Sequence, residues 1–155
     1  MNWMLNAKLQ SEYATCLRVK LGAVIVRSNA ILGQGCNAAP EGTKNCIEIG
    51  TCLRKQMKIP AGQRYEICRS VHAEQNAILN VNCSLYDSAM YIYGSKDGKP
   101  INAFPCFICK KMIMNSGITK VYSNNANNEI ILNYVEDWRK EWREKDMLEM
   151  SDNYE

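Results

Sequence analysis

The sequence predicts an α/β domain built on one mixed sheet of about five strands. Three observations predict it. Segments rich in Val and Ile alternate with helix-permissive segments, which is the pattern of layered α/β domains. The 155 residues amount to one domain, 1–155, long enough to bury about two-thirds of its unfolded surface without covalent staples. A content of 46% hydrophobic and 23% charged residues excludes a disordered chain.

Residues 2–15 are helix-permissive, with Trp3, Leu5, Leu9 and Tyr13 as a partial apolar stripe. Residues 20–27 read as a strand, Ser28-Asn29 as a turn, and residues 31–36 as the returning strand. Residues 37–71 differ from the rest. They carry Pro40, Gly42, Gly50, Pro60, Gly62 and three cysteines, and read as a long loop with a short helix around 52–57. A structureless loop of that length usually serves a purpose, and a metal would be one. Residues 72–80 predict a helix and 89–93 a short strand. Residues 94–104 read as a turn or small excursion. Pro105 suits the first turn of a helix running to about Asn115, which Gly117 ends. Residues 118–122 and 129–132 are the fourth and fifth strands. Residues 134–148 form a C-terminal helix with Glu136/Lys140 and Glu141/Lys145 pairs and with Trp138 and Trp142 on one face.

Net charge is +3, unevenly spread: the last twenty residues hold eight acids and four bases, which leaves +7 on the rest. A mildly basic body suits a small phosphorylated anion and is too weak to demand a nucleic-acid surface. The longest aliphatic run, Ala23-Val24-Ile25-Val26, is far below the ~20 residues a membrane span needs. No basic patch followed by an apolar stretch marks a secretory signal, so a cytoplasmic location is expected. In that reducing compartment the eight cysteines point to metal rather than disulfides.

The sharp signal is His72-Ala73-Glu74 followed by Pro105-Cys106-Phe107-Ile108-Cys109. One imidazole and two thiolates make three ligands for tetrahedral zinc and leave the fourth position open, as catalytic sites do. Cys-x-x-Cys at a helix start puts both sulfurs on one turn near the positive end of the dipole, which favours thiolate. His72, the one histidine, reaches the same point if the two helix N-termini face each other. Zinc there would lower the pKa of a bound water to about 7. Glu74 would act as general acid/base. A Cys-x-x-Cys alone could equally be structural zinc or a redox pair. Together with His-x-Glu in this order it is the signature of zinc nucleobase deaminases.

Over residues 16–122 the chain resembles the cytidine/deoxycytidylate deaminase superfamily, and within it the deoxycytidylate (dCMP) deaminase family. Leu21-Gly22-Ala23-Val24-Ile25-Val26 is similar to the family's first strand, and Gly35-Cys36-Asn37-Ala38-Ala39-Pro40 to its Gly-Tyr-Asn-Gly-x-Pro segment. The long cysteine-bearing loop before His72 also points to the dCMP branch; tRNA-adenosine deaminases have a much shorter connection there. The resemblance implies a three-layer α/β/α cytidine-deaminase-like fold and zinc on His72, Cys106 and Cys109, with Glu74 as proton shuttle. It also implies hydrolysis of dCMP to dUMP and ammonia in pyrimidine deoxynucleotide metabolism, substrate contacts at Asn37 and Ala73, and a homo-oligomer. Cys36 and Ala38 depart from the family's Tyr and Gly, so dCTP/dTTP regulation is not assumed. The thirteen residues 92–104 separate Tyr91 from Pro105, where compact members have about four. They could cover the substrate or contact a neighbouring subunit, but an ordinary surface hairpin is the simpler reading.

The resemblance also suggests a second, structural zinc on Cys16 and Cys46, completed here by Cys52 and Cys68; four separately buried thiols are the alternative. Cys36 and Cys83 read as plain core residues. Between residues 54 and 69 the long loop carries Arg54, Lys55, Lys58, Arg64 and Arg69 against Glu66 alone. Arg69, closest to His72 in sequence, is the candidate for holding a 5′-phosphate. The rival functions are a deaminase of another cytosine nucleoside or nucleotide, or of a base in nucleic acid, and a zinc-stabilised binding module without turnover.

Overall fold

The computed structural model describes residues 1–145. In chain order the elements are α1 (Trp3–Ser11), β1 (Lys20–Arg27), β2 (Ala30–Cys36), α2 (Cys46–Ile49), α3 (Leu53–Gln56), α4 (Ala73–Leu79), β3 (Ser88–Lys96), β4 (Lys99–Pro100), α5 (Phe107–Ser116), β5 (Ile118–Asn124), β6 (Ile130–Tyr134) and α6 (Val135–Glu144), with a 3-10 turn at Tyr65–Ile67. The sheet runs β2-β1-β3-β5-β6, with β4 folded back on β3. Only β3 and β5 pair in parallel, so the sheet is mixed, as expected.

Strand alternation decides the layers. Ala23 and Ile25 of β1, Met90 and Ile92 of β3 and Val121 of β5 face one side, where they join Ala73, Ala77, Ile113, Val135 and Trp138 of α4, α5 and α6 in one core. Val24, Val26 and Tyr93 face the other side and meet Met4 and Ala7 of α1. This is the three-layer α/β/α arrangement.

Two glycines set how close the helices lie. A Cβ on Gly22 would stand 2.1 Å from the Ala7 carbonyl oxygen, and one on Gly35 2.5 Å from the Ala77 nitrogen. Helix α1 therefore rests on β1, and α4 on β2, nearly backbone to backbone. That contact corrects the reading of the first helix. Its inward face is Met4, Ala7 and Ser11, of which the small Ala7 and Ser11 permit the approach at Gly22, while Leu5, Leu9 and Tyr13 are exposed. The helix also stops at Ser11 rather than 15. The N–H groups of Glu12, Tyr13 and Ala14 turn back to carbonyls three residues earlier, and Thr15 N–H crosses to the Asn37 carbonyl.

Other boundaries shift for reasons distant in sequence. Strand β3 runs on to Lys96, because Lys20 and Leu21 of β1 pair with Ser95 and Gly94. The buried Asn124 side chain also accepts from Gly94 N–H and donates to the Gly94 and Ile101 carbonyls. Residues 92–104 are thus the end of a strand, a tight hairpin as expected and a return segment, and the strand runs well beyond the expected 89–93. Pro105 precedes the N-cap Cys106 instead of sitting in the first turn of α5, and Gly117 ends that helix in the left-handed conformation as expected. The fifth strand lies one to two residues later than 129–132. Helix α6 begins at Val135, and residues 146–148 of the expected helix lie outside the described residues. Glu136 bonds Arg139 and Arg143 rather than Lys140, while the Glu141–Lys145 pair forms at 3.9 Å. Cys36 is half-buried and Cys83 exposed, in the irregular stretch between α4 and β3, so neither is a core residue. The long loop holds two short helices, of which only the second was anticipated.

Candidate metal centre

His72 is placed by the closure of the long loop. Ala38 and Val71 form a two-way backbone bridge, with N–H to carbonyl distances of 3.2 and 2.8 Å, so both ends of the loop meet beside β2. His72 then caps α4 in extended conformation, and its N–H donates to the Gln75 Oε1 at 2.9 Å. Asn76 and Asn80 donate to the Cys36 and Gln34 carbonyls and tie α4 along β2. The Gln75 Nε2 also reaches the Met112 sulfur of α5 at 3.6 Å, joining the two helices near the site.

Cys106 is the N-cap of α5, and Cys109 stands in its first turn, fully buried. The two helix starts face each other. His72 Nδ1 lies 3.5 Å from the Cys106 Sγ and 3.3 Å from the Cys109 Sγ. Among the described residues this is the only metal-competent group whose donor atoms all lie within 4.8 Å of one another. Zinc–sulfur bonds of about 2.3 Å and a zinc–nitrogen bond of about 2.0 Å at the tetrahedral angle give an N···S edge of about 3.5 Å. Donor chemistry and spacing both fit zinc.

The charges are strongly coupled. The Cys106 thiol is pushed down to about 4, first by the hydrogen bond from Cys109 and, against its own burial, by His72. Cys109, the donor in that bond, is held far above the usual thiol range. Burial works against a charged His72, but the neighbouring Cys106 and Glu74 outweigh it and the net direction is upward.

Glu74, in the first turn of α4, is 5% exposed, and its Oε2 has no hydrogen-bond partner. Burial raises its pKa, and Cys109 bonds to the same carboxyl. Inside a folded protein a buried, half-satisfied carboxyl is costly. It stands beside three metal-competent donors, where a carboxyl can take up and release a proton.

One cavity of about 650 Å³ adjoins the site, and His72, Asn37, Tyr65, Arg54 and Arg69 line it together with Cys16, Cys46, Cys52 and Cys68. Asn37 is 4% exposed; its Oδ1 accepts from Leu21 N–H at 2.8 Å and its Nδ2 donates to the Val19 carbonyl at 3.0 Å. One lone pair and one proton of the amide are left over. Ala73 is fully buried at the start of α4. Arg69 is exposed and donates to the Lys44 carbonyl. The four cysteines share the cavity wall but form no cluster as tight as the triad. Burial first, and then Cys16, Cys52 and Cys68, raise the Cys46 pKa. Sequence reasoning missed Tyr65, whose ring meets the His72 ring edge-on with centroids 5.0 Å apart. It is the one aromatic residue of the long loop, which was the available signal.

The chain matches the family described as the cytidine and deoxycytidylate deaminase zinc-binding region over residues 1–124. It is 29% identical to a deoxycytidylate deaminase of Schizosaccharomyces pombe over 126 residues, 81% of this chain and 37% of that one. It is 31% identical to a deoxycytidylate deaminase of a Mycobacterium phage, covering 74% of this chain and 85% of that one. The chain thus spans little more than a third of the yeast relative. Among solved structures it resembles the dCMP deaminase of cyanophage S-TIM5 in complex with dCMP and dUMP, with a TM-score of 0.57, 28% identity, and coverage of 79% of this chain and 78% of that one.

Proposed function

Because the chain belongs to the cytidine and deoxycytidylate deaminase zinc-binding family, we propose that it hydrolyses the 4-amino group of dCMP, giving dUMP and ammonia. The observation that carries this reading is Glu74, a buried carboxyl with an unpartnered oxygen beside three zinc-competent donors. A structural metal site has no need of a general base. The relatives named for deoxycytidylate deamination support the substrate.

Zinc on His72, Cys106 and Cys109 would supply a Lewis acid that makes water nucleophilic near neutral pH. The chain's own residues do the rest. Glu74 takes a proton from the attacking water and delivers it to N3 of the pyrimidine, then takes the second proton from the new C4 hydroxyl and passes it to the amino group as the C4–N bond breaks and ammonia leaves. Burial strengthens its hold on that proton. The Ala73 N–H lies in the first turn of α4, where no intrahelical carbonyl reaches it, and is available to the ring. The Asn37 amide uses its remaining donor on the sugar, while its other bonds hold the β1 entry in place.

The proposal includes a second zinc on Cys16, Cys46, Cys52 and Cys68. The loop that carries three of them has little core of its own: Ile47, Ile49, Leu53 and Met57 are all exposed. A metal there would fix it. All eight cysteines are free, which suits the cytoplasm. No described helix is long and apolar enough to cross a membrane. Assembly with further copies of the chain is supported by the exposed Leu5 and Leu9 of α1 and the exposed Ile130, Ile131 and Tyr134 on the edge strand β6.

The test is an ultraviolet deamination assay of zinc-loaded protein with dCMP, deoxycytidine, dCTP and CMP in parallel. Turnover of dCMP far above the other three is expected. Turnover of another member alone would move the substrate, and none at all would overturn the reading. Metal content is expected at two zinc equivalents per chain, falling to one in the double variant Cys46→Ser/Cys52→Ser. Two equivalents retained in that variant would remove the second site.

A further inference from the structure

Among the described residues, three arginines and no carboxylate line the cavity beside His72. An unbalanced positive wall of this kind asks for an anion. The three are not equivalent. Arg69 is exposed and spends its guanidinium on the Lys44 carbonyl, toward the cysteine-bearing helix α2. Arg18 is half-buried, on the turn before β1.

Arg54 is different. It is 6% exposed, and among the described residues no acidic side chain stands within ion-pair distance of it. Its Nη2 donates to the Pro60 and Gln63 carbonyls at 2.9 and 2.8 Å, which holds the guanidinium in a fixed orientation. Its Nε has no partner at all. The carbon of the guanidinium stands 4.7 Å from the centre of the Tyr65 ring, and that ring lies edge-on against His72. Burying a permanently charged group without a counter-ion is costly, and a protein retains one where a ligand completes it. One aromatic ring separates this charge from the candidate metal ligand. That is the scale of a nucleoside with its base at one end and its 5′ substituent at the other.

We propose that Arg54 holds the 5′-phosphate of the nucleotide and so selects a monophosphate over the free nucleoside. The assignment rests on the deaminase reading above and moves the phosphate contact from Arg69 to Arg54. The two carbonyls and the Tyr65 ring hold the planar fork ready, so its remaining donors meet the phosphate oxygens at little ordering cost. The positive charge completes its pairing only when the anion arrives.

Equilibrium binding of dUMP and of deoxyuridine to the zinc-loaded chain tests this without requiring turnover. The wild-type chain is expected to bind dUMP roughly 100-fold more tightly than deoxyuridine. In Arg54→Gln the gap should shrink to within about fivefold, with deoxyuridine affinity unchanged. The glutamine amide can still donate to the Pro60 or Gln63 carbonyl, so the loop keeps a tie. Arg54→Lys, which keeps the charge and loses the fork, should fall between, at roughly tenfold discrimination. A parallel loss of both affinities in the two variants would make Arg54 a loop clamp and overturn the proposal, as would undiminished discrimination in Arg54→Gln. Should Arg54→Gln fail to fold, wild-type discrimination in Arg54→Lys together with its loss in Arg69→Gln would overturn it. A wild-type chain that binds neither ligand would fail the deaminase reading itself, and this proposal with it.

Discussion

Glu74→Gln is expected to lower the rate of dCMP deamination by about 10³-fold or more while leaving the fold and the zinc content intact. General acid/base catalysis contributes about 10²- to 10⁴-fold. On the proposed path Glu74 serves twice in one turnover, once at N3 and once at the leaving ammonia, so the upper part of that range applies. Glutamine has nearly the same shape and fills the same buried space, but it cannot carry the proton. The carboxyl is buried with an unpartnered oxygen, so removing its charge costs the fold nothing. The melting temperature should therefore be equal or higher. Initial rates, metal content and thermal unfolding of the purified variant check the three statements together. Activity within tenfold of wild type would remove Glu74 from the proton path.

Cys109→Ser is expected to weaken zinc binding more than 100-fold and to abolish turnover. Changes in the groups that merely orient metal ligands already cost about 10- to 100-fold in affinity, and a lost ligand costs more. Cys109 is fully buried, and its sulfur lies 3.3 Å from the His72 Nδ1, within the donor triad. Competition with a chromophoric chelator reads the affinity directly, apart from activity. If the variant held zinc as tightly as wild type, the metal would not be bound by this triad. Comparison with Cys46→Ser/Cys52→Ser separates the two sites: that double variant should lose one zinc equivalent and keep the metal held by His72, Cys106 and Cys109.

The parts of the site that were legible in the sequence are local. His72 caps one helix and Cys106 another, and Cys109 follows within one turn, so residue type and spacing alone place the donors at two helix starts. Glu74 follows His72 on the same turn. The strand over 20–27 was legible for a related reason: its Val and Ile residues alternate between two cores, and burial on both faces makes a continuous apolar run. Where apolar residues are not the ones buried, the reading failed. The conspicuous Leu5 and Leu9 face outward in α1 because backbone contact at Gly22 admits only small residues.

The long loop marks the sharper boundary. The five basic residues of its 54–69 stretch look alike in sequence, and proximity to His72 favoured Arg69. Folding reverses that ranking. The Ala38–Val71 bridge closes the loop at its base, Arg54 turns inward onto Tyr65, and Arg69 is left at the surface. Asn37 shows the same limit: its type fits a sugar contact, yet most of its amide is spent holding Val19 and Leu21. By itself the sequence determined the α/β class, the three metal-competent donors, the carboxyl beside them and the order of most elements. All of these rest on residue type, helix periodicity and spacings of a few residues. Only the tertiary structure decided which arginine is buried without a counter-ion, how far β3 extends, and which face of α1 packs. Each of those depends on partners many residues away, and nothing within a short window of sequence records which distant backbone will come to lie against it.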